Sequence, residues 1–174
     1  MTSEPLDGPS RDQQVEFAYR IALRLLEARG RSEHELRTAM RKKEVPGDIA
    51  DEVMDRLKEL RYVDDEAFAE SLVGNRVRVS RRGRTRIRRE LQDKGIDRDA
   101  VEEVLAGLDP EDEWAAARAF AEKKARSMGR LERHVATRRL RGALARRGFG
   151  MDIVAGVSAE ILGALGDERP DEVD

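Results

Sequence analysis

The sequence predicts an all-α protein, built as an elongated, curved array of three tandem three-helix repeats of the helix-turn-helix kind. Three observations support this fold class. Apolar residues recur at spacings of three and four, as they do along one face of a helix. Helix start and stop signals punctuate the chain. One pattern of apolar positions also occurs three times, at successive shifts of 51 and 53 residues.

The three copies of this pattern match at every core position. The five core positions of the first copy hold Leu36, Met40, Ile49, Val53 and Leu57. The same five positions hold Ile87, Leu91, Ala100, Val104 and Leu108 in the second copy, and Leu140, Leu144, Ile153, Val157 and Ile161 in the third. A basic residue also precedes the turn of each copy. Nine helices follow from this pattern, over residues 13–29, 32–43, 46–61, 64–80, 83–94, 97–107, 110–127, 131–147 and 151–166.

Local signals justify the helices of the first repeat in order. Gly30 suits a left-handed cap at the end of the first helix. Ser32 and Glu35 form a capping box, in which the serine hydroxyl accepts from the Glu35 amide and the glutamate reaches back to Ser32. Pro46 suits the first turn of the third helix, where a missing N–H costs nothing.

The later repeats carry comparable signals. Asp64 and Asp65 place acids at the positive end of the fourth helix, and Gly95 stops the fifth. The sixth and ninth helices are predicted from the repeated apolar pattern. Asp109 and Pro110 supply an N-cap and a first helical residue for the seventh helix, and Gly148 stops the eighth. Phe17, Phe68 and Trp114 occupy equivalent positions in the three first helices, so we expect all three to pack in cores.

The repeats divide the chain into five segments. We expect a flexible N-terminus over 1–12, repeats over 13–63, 64–108 and 109–166, and an acidic flexible tail over 167–174. Each repeat is too small to bury a large core alone, so its stability depends on packing against its neighbours. A closed nine-helix globule is the alternative, and the hydrophobic fraction of only 39% favours the array.

Composition excludes several functional classes. The chain has no cysteine, hence no disulfide or thiolate chemistry, and no apolar run long enough to span a membrane. No signal peptide is visible, so we expect a cytoplasmic protein. His34 and His134 are far apart, and the glycines occur singly, so we expect neither an enzyme nor a bound cofactor. The acids from Asp64 to Glu66 fit helix capping better than a metal site.

The net charge of −2 conceals blocks of strong local charge. Nine basic residues face two acids between residues 76 and 94, and eleven face two between 118 and 147. Acids dominate the segments 97–113 and 160–174. Such local fields suit a polyanionic or charge-patterned partner.

The two basic blocks supply the candidate partner-binding or DNA-binding residues. Arginine predominates, which favours bidentate contact with carboxylates or phosphates. In the first block we expect most arginines to lack a local counter-ion and Arg81, Arg84 and Arg88 to point away from the core. In the second block Arg138, Arg139 and Arg141 should point outward. The candidates are Arg76, Arg81, Arg82, Arg84, Arg86, Arg88, Arg89, Lys94, Lys123, Lys124, Arg126, Arg130, Arg133, Arg138, Arg139 and Arg141.

Several of these motifs resemble those of the RecX family, over about Ala18 to Leu162. The most specific stretches are Tyr62 to Ala69, then Arg76, Gly83, Ile87, Glu90-Leu91 and Lys94-Gly95-Ile96, and in the third repeat Ala145 to Gly150. The first repeat departs from the pattern, because Glu44 follows Lys43 where the family usually has glycine. That substitution loosens the turn assignment at Glu44.

The resemblance implies a regulator of the RecA recombinase without catalysis of its own. RecX-like proteins lie along the groove of RecA–DNA filaments, and inhibit ATP hydrolysis, strand exchange and filament growth. The implied partner is the filament of RecA, ATP and single-stranded DNA. Whether the protein also contacts DNA phosphates directly is left open by the resemblance. We expect the free protein to be a monomer. A basic helical module that binds DNA or RNA directly, without sequence specificity, is the alternative.

Overall fold

The computed structural model describes residues 8–167. Within that range the chain forms nine α-helices and no strand, which confirms the all-α fold class. The residues 1–7 and 168–174, which hold most of the predicted flexible N-terminus and acidic tail, lie outside the described residues. The helices are α1 (Arg11–Ala28), α2 (Glu33–Arg41), α3 (Gly47–Glu59), α4 (Asp65–Arg78), α5 (Arg84–Asp93), α6 (Arg98–Ala106), α7 (Pro110–Ala125), α8 (Arg133–Arg146) and α9 (Met151–Asp167).

Side-chain caps fix several helix starts where the sequence predicts them. The Ser32 Oγ accepts from the Glu35 amide at 3.2 Å, and a Glu35 carboxylate oxygen accepts from the Ser32 amide at 3.3 Å. At the start of α7 the Asp109 carboxylate accepts from the Glu111 amide at 2.9 Å. A second capping box, between Ser10 and Gln13, starts α1 two residues earlier than predicted. These polar caps therefore act as local structural determinants. The left-handed cap predicted at Gly30 does not form, because α1 ends at Ala28 with Arg29 in an extended conformation and Gly30 has no positive φ.

The chain forms two compact units. One comprises the described residues up to Ala69 together with Lys94–Asp97, and the other comprises Glu70–Asp93 and the described residues from Arg98 onward. In the first unit α1 packs on α2 and α3. Its core consists of Ala18, Ala22, Leu36, Met40, Ile49, Ala50, Val53, Met54, Leu57 and Val63.

In the second unit α7 packs against α8 and α9, and α5 packs against α6. Small residues bring α7 close to its neighbours, because Ala117 and Ala121 are fully buried and the Trp114 ring lies against Gly156. The fully buried large side chains of this unit include Ile87, Leu91, Leu105, Leu140, Leu144 and Val77. No helix in the described part of the chain is both long enough and apolar enough to cross a membrane.

Most of the repeated apolar positions lie in the cores, as predicted, but Ala100, Val104 and Ile161 are only half-buried. In α6 the fully buried residues are Val101 and Leu105, so the predicted core face of that helix is one residue out of register. The second helix of each repeat buries the same two repeat positions. These positions hold Leu36 and Met40 in the first repeat, Ile87 and Leu91 in the second, and Leu140 and Leu144 in the third. The equivalence of the aromatic residues is only partial. Phe68 and Trp114 are half-buried, whereas Phe17 is 45% exposed, so the prediction that Phe17 packs in a core is wrong.

The turn that follows the second helix has a left-handed backbone in every repeat. The φ angle is 58° at Glu44, 75° at Gly95 and 88° at Gly148. In the first unit Ser32 Oγ donates to the Lys94 carbonyl oxygen at 2.6 Å, and a Cβ on Gly95 would overlap the His34 side chain. The turn of the second repeat thus packs on the start of α2.

The same arrangement recurs in the second unit. The Gly83 and Thr85 amides donate to the carbonyl oxygens of Arg147 and Gly148, at 3.0 and 3.1 Å. A Cβ on Gly148 would lie 2.5 Å from the backbone nitrogen of Arg86. The turn of the third repeat therefore packs on the start of α5. Two successive turns each contact the second helix of the repeat before them.

Candidate binding surface for an anionic partner

Long-range ion pairs neutralise much of the first basic block. Its arginines pair with carboxylates on α5, α6 and α7, so the prediction that most of them lack a counter-ion is wrong. The acids of α6 and α7 belong to the acidic segment 97–113, which folding brings to the basic block. The pairs are Arg76 and Arg82 with Glu90, Arg84 with Glu113, Arg88 with Glu102, and Arg78 with Asp112 at the longer distance of 3.9 Å.

Arg84 is a structural residue, and the prediction that it points away from the core is wrong. Its Nε donates to a Glu113 carboxylate oxygen at 2.8 Å, and its backbone amide donates to the other oxygen at 2.8 Å. The two terminal nitrogens donate to the carbonyl oxygens of Leu105 and Leu108, at 2.7 and 2.8 Å. The Glu113 side chain is only 5% exposed, so this guanidinium both balances a buried charge and caps the end of α6.

Arg76 and Arg82 share the Glu90 carboxylate. Arg76 Nη2 donates at 2.6 Å and Arg82 Nη1 at 2.7 Å. The hydrogen bonds from Arg76 lower the pKa of Glu90 against the opposing effect of burial. The carboxylate therefore stays charged and holds both guanidinium groups in place.

The remaining arginines of the first block differ in their surroundings. The sequence predicts that Arg81 points away from the core. In the structure its side chain is half-buried and donates to the Ala119 carbonyl oxygen at 3.1 Å. Arg88 pairs with Glu102 on α6 at a half-exposed site. Arg86 and Arg89 are exposed and make no ion pair with any other described residue. These two, with Arg81, are the members of the block whose charge is not neutralised.

Lys94 belongs to the first unit, whereas every other candidate belongs to the second. Its Nζ lies 3.1 Å from a Glu35 carboxylate oxygen and 5.7 Å from the centre of the Phe68 ring. Its carbonyl oxygen accepts from Ser32. These contacts give Lys94 a structural role in the turn, and its predicted role in binding stays a prediction.

The Glu35 carboxylate gives the first unit a defined sensitivity to acid. Burial raises the pKa of Glu35, but hydrogen bonds from Arg29, Lys94 and the Ser32 amide outweigh it and lower the pKa to about 2, from an ordinary 4.5. A lowered folded-state pKa stabilises the fold above pH 4.5, and this stability is lost as the pH falls through about 2.

We therefore expect Glu35→Gln to lower the free energy of unfolding at pH 7 by about 1–2 kcal/mol, since solvent partly screens the pairs. The variant should also lose less stability than the parent between pH 4.5 and pH 2. Urea unfolding of both proteins across this range measures the difference. Glu27→Gln, at an exposed position of α1, is the control. Parallel stability curves for parent and Glu35→Gln would contradict the assignment.

The candidates of the second basic block are exposed, and the ion pair of this block that the structure shows is Arg118 with Glu160, at 3.1 Å. Within the described residues none of its candidates forms an ion pair, and the predicted outward orientation of Arg138, Arg139 and Arg141 is confirmed by their exposure. The exposed members are Lys123, Lys124, Arg126, Arg130, Arg133, Arg138, Arg139 and Arg141. Unlike the first block, this block keeps most of its positive charge unbalanced.

Parts of both blocks meet in the second unit, in what we call the basic groove. It consists of three adjoining concavities along α7 and α8, all of which share Lys124 in their lining. No carboxylate lines any of the three. The cationic residues of the groove are Arg81, Arg82, Arg86, Lys123, Lys124, Arg138, Arg139, Arg146 and Arg147. Like charges held this close oppose folding through mutual repulsion, which an anionic partner would relieve.

Sequence reasoning missed Arg146 and Arg147, together with the aromatic floor of the groove. The Arg147 guanidinium lies 4.6 Å from the centre of the Phe120 ring, and its Nη1 donates to the Ser80 carbonyl oxygen at 2.7 Å. The guanidinium is thereby held in one orientation before any ligand arrives. The repeat itself carries the signal, because Arg147 corresponds to Lys94 and Lys43, the basic residues that precede the other two turns.

Other candidates remain outside the groove. Arg89, Arg126, Arg130, Arg133 and Arg141 are exposed, but they do not line any of its three concavities.

The acids considered as a metal site have capping roles. Asp64 accepts from the Ala67 amide at 3.0 Å, and Asp65 accepts from the Glu33 amide at 2.8 Å, so Asp65 contacts the start of α2. Among the side chains that the structure describes, residues 8–164, no three His, Asp or Glu are grouped so as to hold a metal ion. The charged side chains that line the groove are all cationic, which suits the binding of an anion.

Family models match the chain in three places. The model described as the first three-helix domain of RecX matches residues 18–57, the second three-helix domain matches 64–105, and the third matches 111–157. Together they cover more than half of the sequence, and the three-helix organisation predicted from the repeat is confirmed.

Curated relatives extend this similarity over nearly the whole chain. A protein of Mycolicibacterium smegmatis named "Regulatory protein RecX" is 38% identical over 88% of this chain and 87% of its own length. The protein of the same name from Corynebacterium efficiens is 40% identical, over 98% and 81%. The fold matches a crystal structure of RecX from Lactobacillus salivarius with a TM-score of 0.77 and 24% identity, over 86% of this chain and 97% of that one.

Proposed function

The chain belongs to the RecX family of regulatory proteins, and from this membership we propose that it modulates the RecA recombinase without catalysing a reaction itself. It binds along the groove of RecA–DNA filaments and inhibits ATP hydrolysis, strand exchange and filament growth. Through this inhibition it regulates recombination, DNA repair and the SOS response. It acts in the cytoplasm, as a monomer when it is not bound to a filament.

The basic groove is the observation that carries this proposal. A filament of protein and DNA exposes repeated carboxylates and phosphates, and arginine binds both kinds of oxygen with two parallel hydrogen bonds. Cations from α7, α8 and the α4–α5 connection converge there without a carboxylate among the lining residues. The ordered guanidinium of Arg147 loses little conformational freedom on binding.

Inhibition without catalysis requires only a difference in affinity between two states of the filament. A ligand that binds one state more tightly shifts the equilibrium toward that state by its differential affinity. A tenfold preference is equivalent to about 1.4 kcal/mol per bound molecule. The protein therefore favours a state of the filament that hydrolyses ATP and exchanges strands poorly.

Direct binding to DNA or RNA without sequence specificity is the second candidate, favoured by a groove that offers donors and no acceptor carboxylates. Comparing the affinity for bare single-stranded DNA with the affinity for pre-formed RecA filaments distinguishes the two. At about 0.15 M salt, exposed charges are screened beyond about 8 Å, which weakens non-specific attraction. Preference for the filament supports the first function, and equal binding supports the second.

Charge reversal in the groove tests its role. We expect Arg138→Glu with Arg139→Glu to weaken binding to RecA filaments by roughly tenfold or more, because two contacts become repulsive. Co-sedimentation of the protein with filaments measures the affinity, and inhibition of ATP hydrolysis should fall in parallel. Both arginines are exposed on α8, so the helical signal in circular dichroism should not change.

A matched control lies on α1. Arg20 and Arg24 are exposed, belong to the first unit and form no ion pair with other described residues. The double variant Arg20→Glu, Arg24→Glu has the same change in net charge. Equal losses of affinity in the two double variants would show that the groove is not the contact surface and that only net charge matters.

A further inference from the structure

The C-terminal end of α9 lies level with the end of α7, where the basic groove contains Lys123 and Lys124. The register follows from two contacts between these helices. The Trp114 ring lies against Gly156, and Arg118 Nε lies 3.1 Å from a Glu160 carboxylate oxygen. Both pairs are 42 residues apart, so the helices run parallel with that offset. By the same offset the last residue of α9, Asp167, is level with the last residue of α7.

The seven residues after Asp167 are strongly acidic. Their sequence, Glu168 to Asp174, contains four acids and one arginine. Seven residues in extended form reach about 23 Å, whereas a helix with its side chains is only about 10 Å across. A segment that starts beside the end of α7 is therefore long enough to pass round that end and reach Lys123, Lys124, Arg138 and Arg139.

We propose that residues 168–174 bind in the basic groove of the same molecule and compete with an external anionic partner. Tethering gives the segment an effective concentration in the millimolar range, so individually weak exposed ion pairs suffice for partial occupancy. A longer polyanion that engages more of the groove displaces it. The effect on RecA filaments rests on the proposed function, whereas binding of the segment to the groove does not.

Zero-length cross-linking of the full chain alone tests this contact. A carbodiimide joins lysine amines to carboxylates that touch them, and mass spectrometry of the monomeric product identifies the pairs. We expect cross-links from Lys123 or Lys124 to Glu168, Asp171 or Glu172, reduced severalfold in 0.5 M sodium chloride because exposed charges are screened.

The exposed lysines Lys42 and Lys43 of the first unit are the internal control. Absence of cross-links to the groove lysines, or equal yields at Lys42 and Lys43, would overturn the proposal. Because no RecA is present, this result is independent of filament binding. Cross-links without filament binding would refute only the proposed function, and filament binding without cross-links would refute only the internal competition.

A charge-neutral segment provides a second measurement. In the variant Glu168→Gln, Asp171→Asn, Glu172→Gln, Asp174→Asn, we expect roughly threefold or greater tightening of binding to a fluorescent single-stranded oligonucleotide at low salt. The matched control neutralises four exposed acids of the first unit, which are Glu16, Glu27, Asp55 and Glu59. Equal tightening of oligonucleotide binding in both variants would show that only the net charge of the protein matters, and would overturn the proposal.

Discussion

Replacing Gly148 with alanine should lower the free energy of unfolding by about 3 kcal/mol or more. The residue has φ of 88°, a left-handed conformation that costs an L side chain about 1–2 kcal/mol. The new Cβ would also lie 2.5 Å from the backbone nitrogen of Arg86 and 2.6 Å from its Cβ. Relieving such an overlap shifts packed backbone, at a further cost of about 1–3 kcal/mol.

The first repeat offers a matched control for this substitution. Glu44 occupies the equivalent position with φ of 58°, but it is exposed. For Glu44→Gly we expect a change within about 1 kcal/mol, since relief of the left-handed backbone and the added freedom of the unfolded chain oppose each other. Denaturant unfolding followed by circular dichroism measures both variants. Similar small effects at Gly148 and Glu44 would refute the steric argument.

Replacing Arg84 with alanine should cost about 2–3 kcal/mol of stability. The substitution leaves the Glu113 carboxylate, which is almost fully buried, with only the Arg84 backbone amide among its described donors. It also leaves the carbonyl oxygens of Leu105 and Leu108 without their guanidinium donor. Removing one partner of a buried pair costs about 3–5 kcal/mol, and the 31% exposure of the Arg84 side chain reduces that figure.

Arg89→Ala is the control for Arg84. Arg89 lies on the same helix, is exposed and has no ion-pair partner within the described residues, so its loss should change stability by less than about 0.5 kcal/mol. Thermal unfolding of the two variants under identical conditions makes the comparison. If Arg84→Ala unfolds at the same temperature as Arg89→Ala, Arg84 is a surface residue and the structural role assigned to it is wrong.

Local sequence signals predicted the helices because those signals act locally. The Ser32 capping box and the Asp109–Pro110 start both form as expected, and the apolar positions of the repeat, such as Leu36 and Ile87, are fully buried. A pattern that recurs three times along one chain indicates helices more strongly than a single occurrence does. The turn at Glu44 is left-handed although it has no glycine, and the Glu44 side chain is exposed there.

The binding surface was less predictable because it depends on contacts between distant segments. Arg84 and Arg88 have no acidic neighbour nearby in sequence that predicts their partners, because folding brings Glu113 and Glu102 to them from later helices. The composition of the groove could not be read from either block alone, because its lining combines Arg81 with Lys124 and Arg147. Periodicity places a side chain on one face of its own helix, but it does not identify the neighbouring helix that this face meets.

The contact of the turn at Lys94–Asp97 with α2 has a consequence for synthesis on the ribosome. The first unit includes these residues, although they follow α3 by a long stretch of chain. A nascent polypeptide that has emerged only as far as Ala69 thus lacks the carbonyl oxygen that Ser32 binds and the ammonium group that pairs with Glu35. Translation must pass Asp97 before the first unit acquires its complete set of contacts, so the repeats mature in an overlapping order.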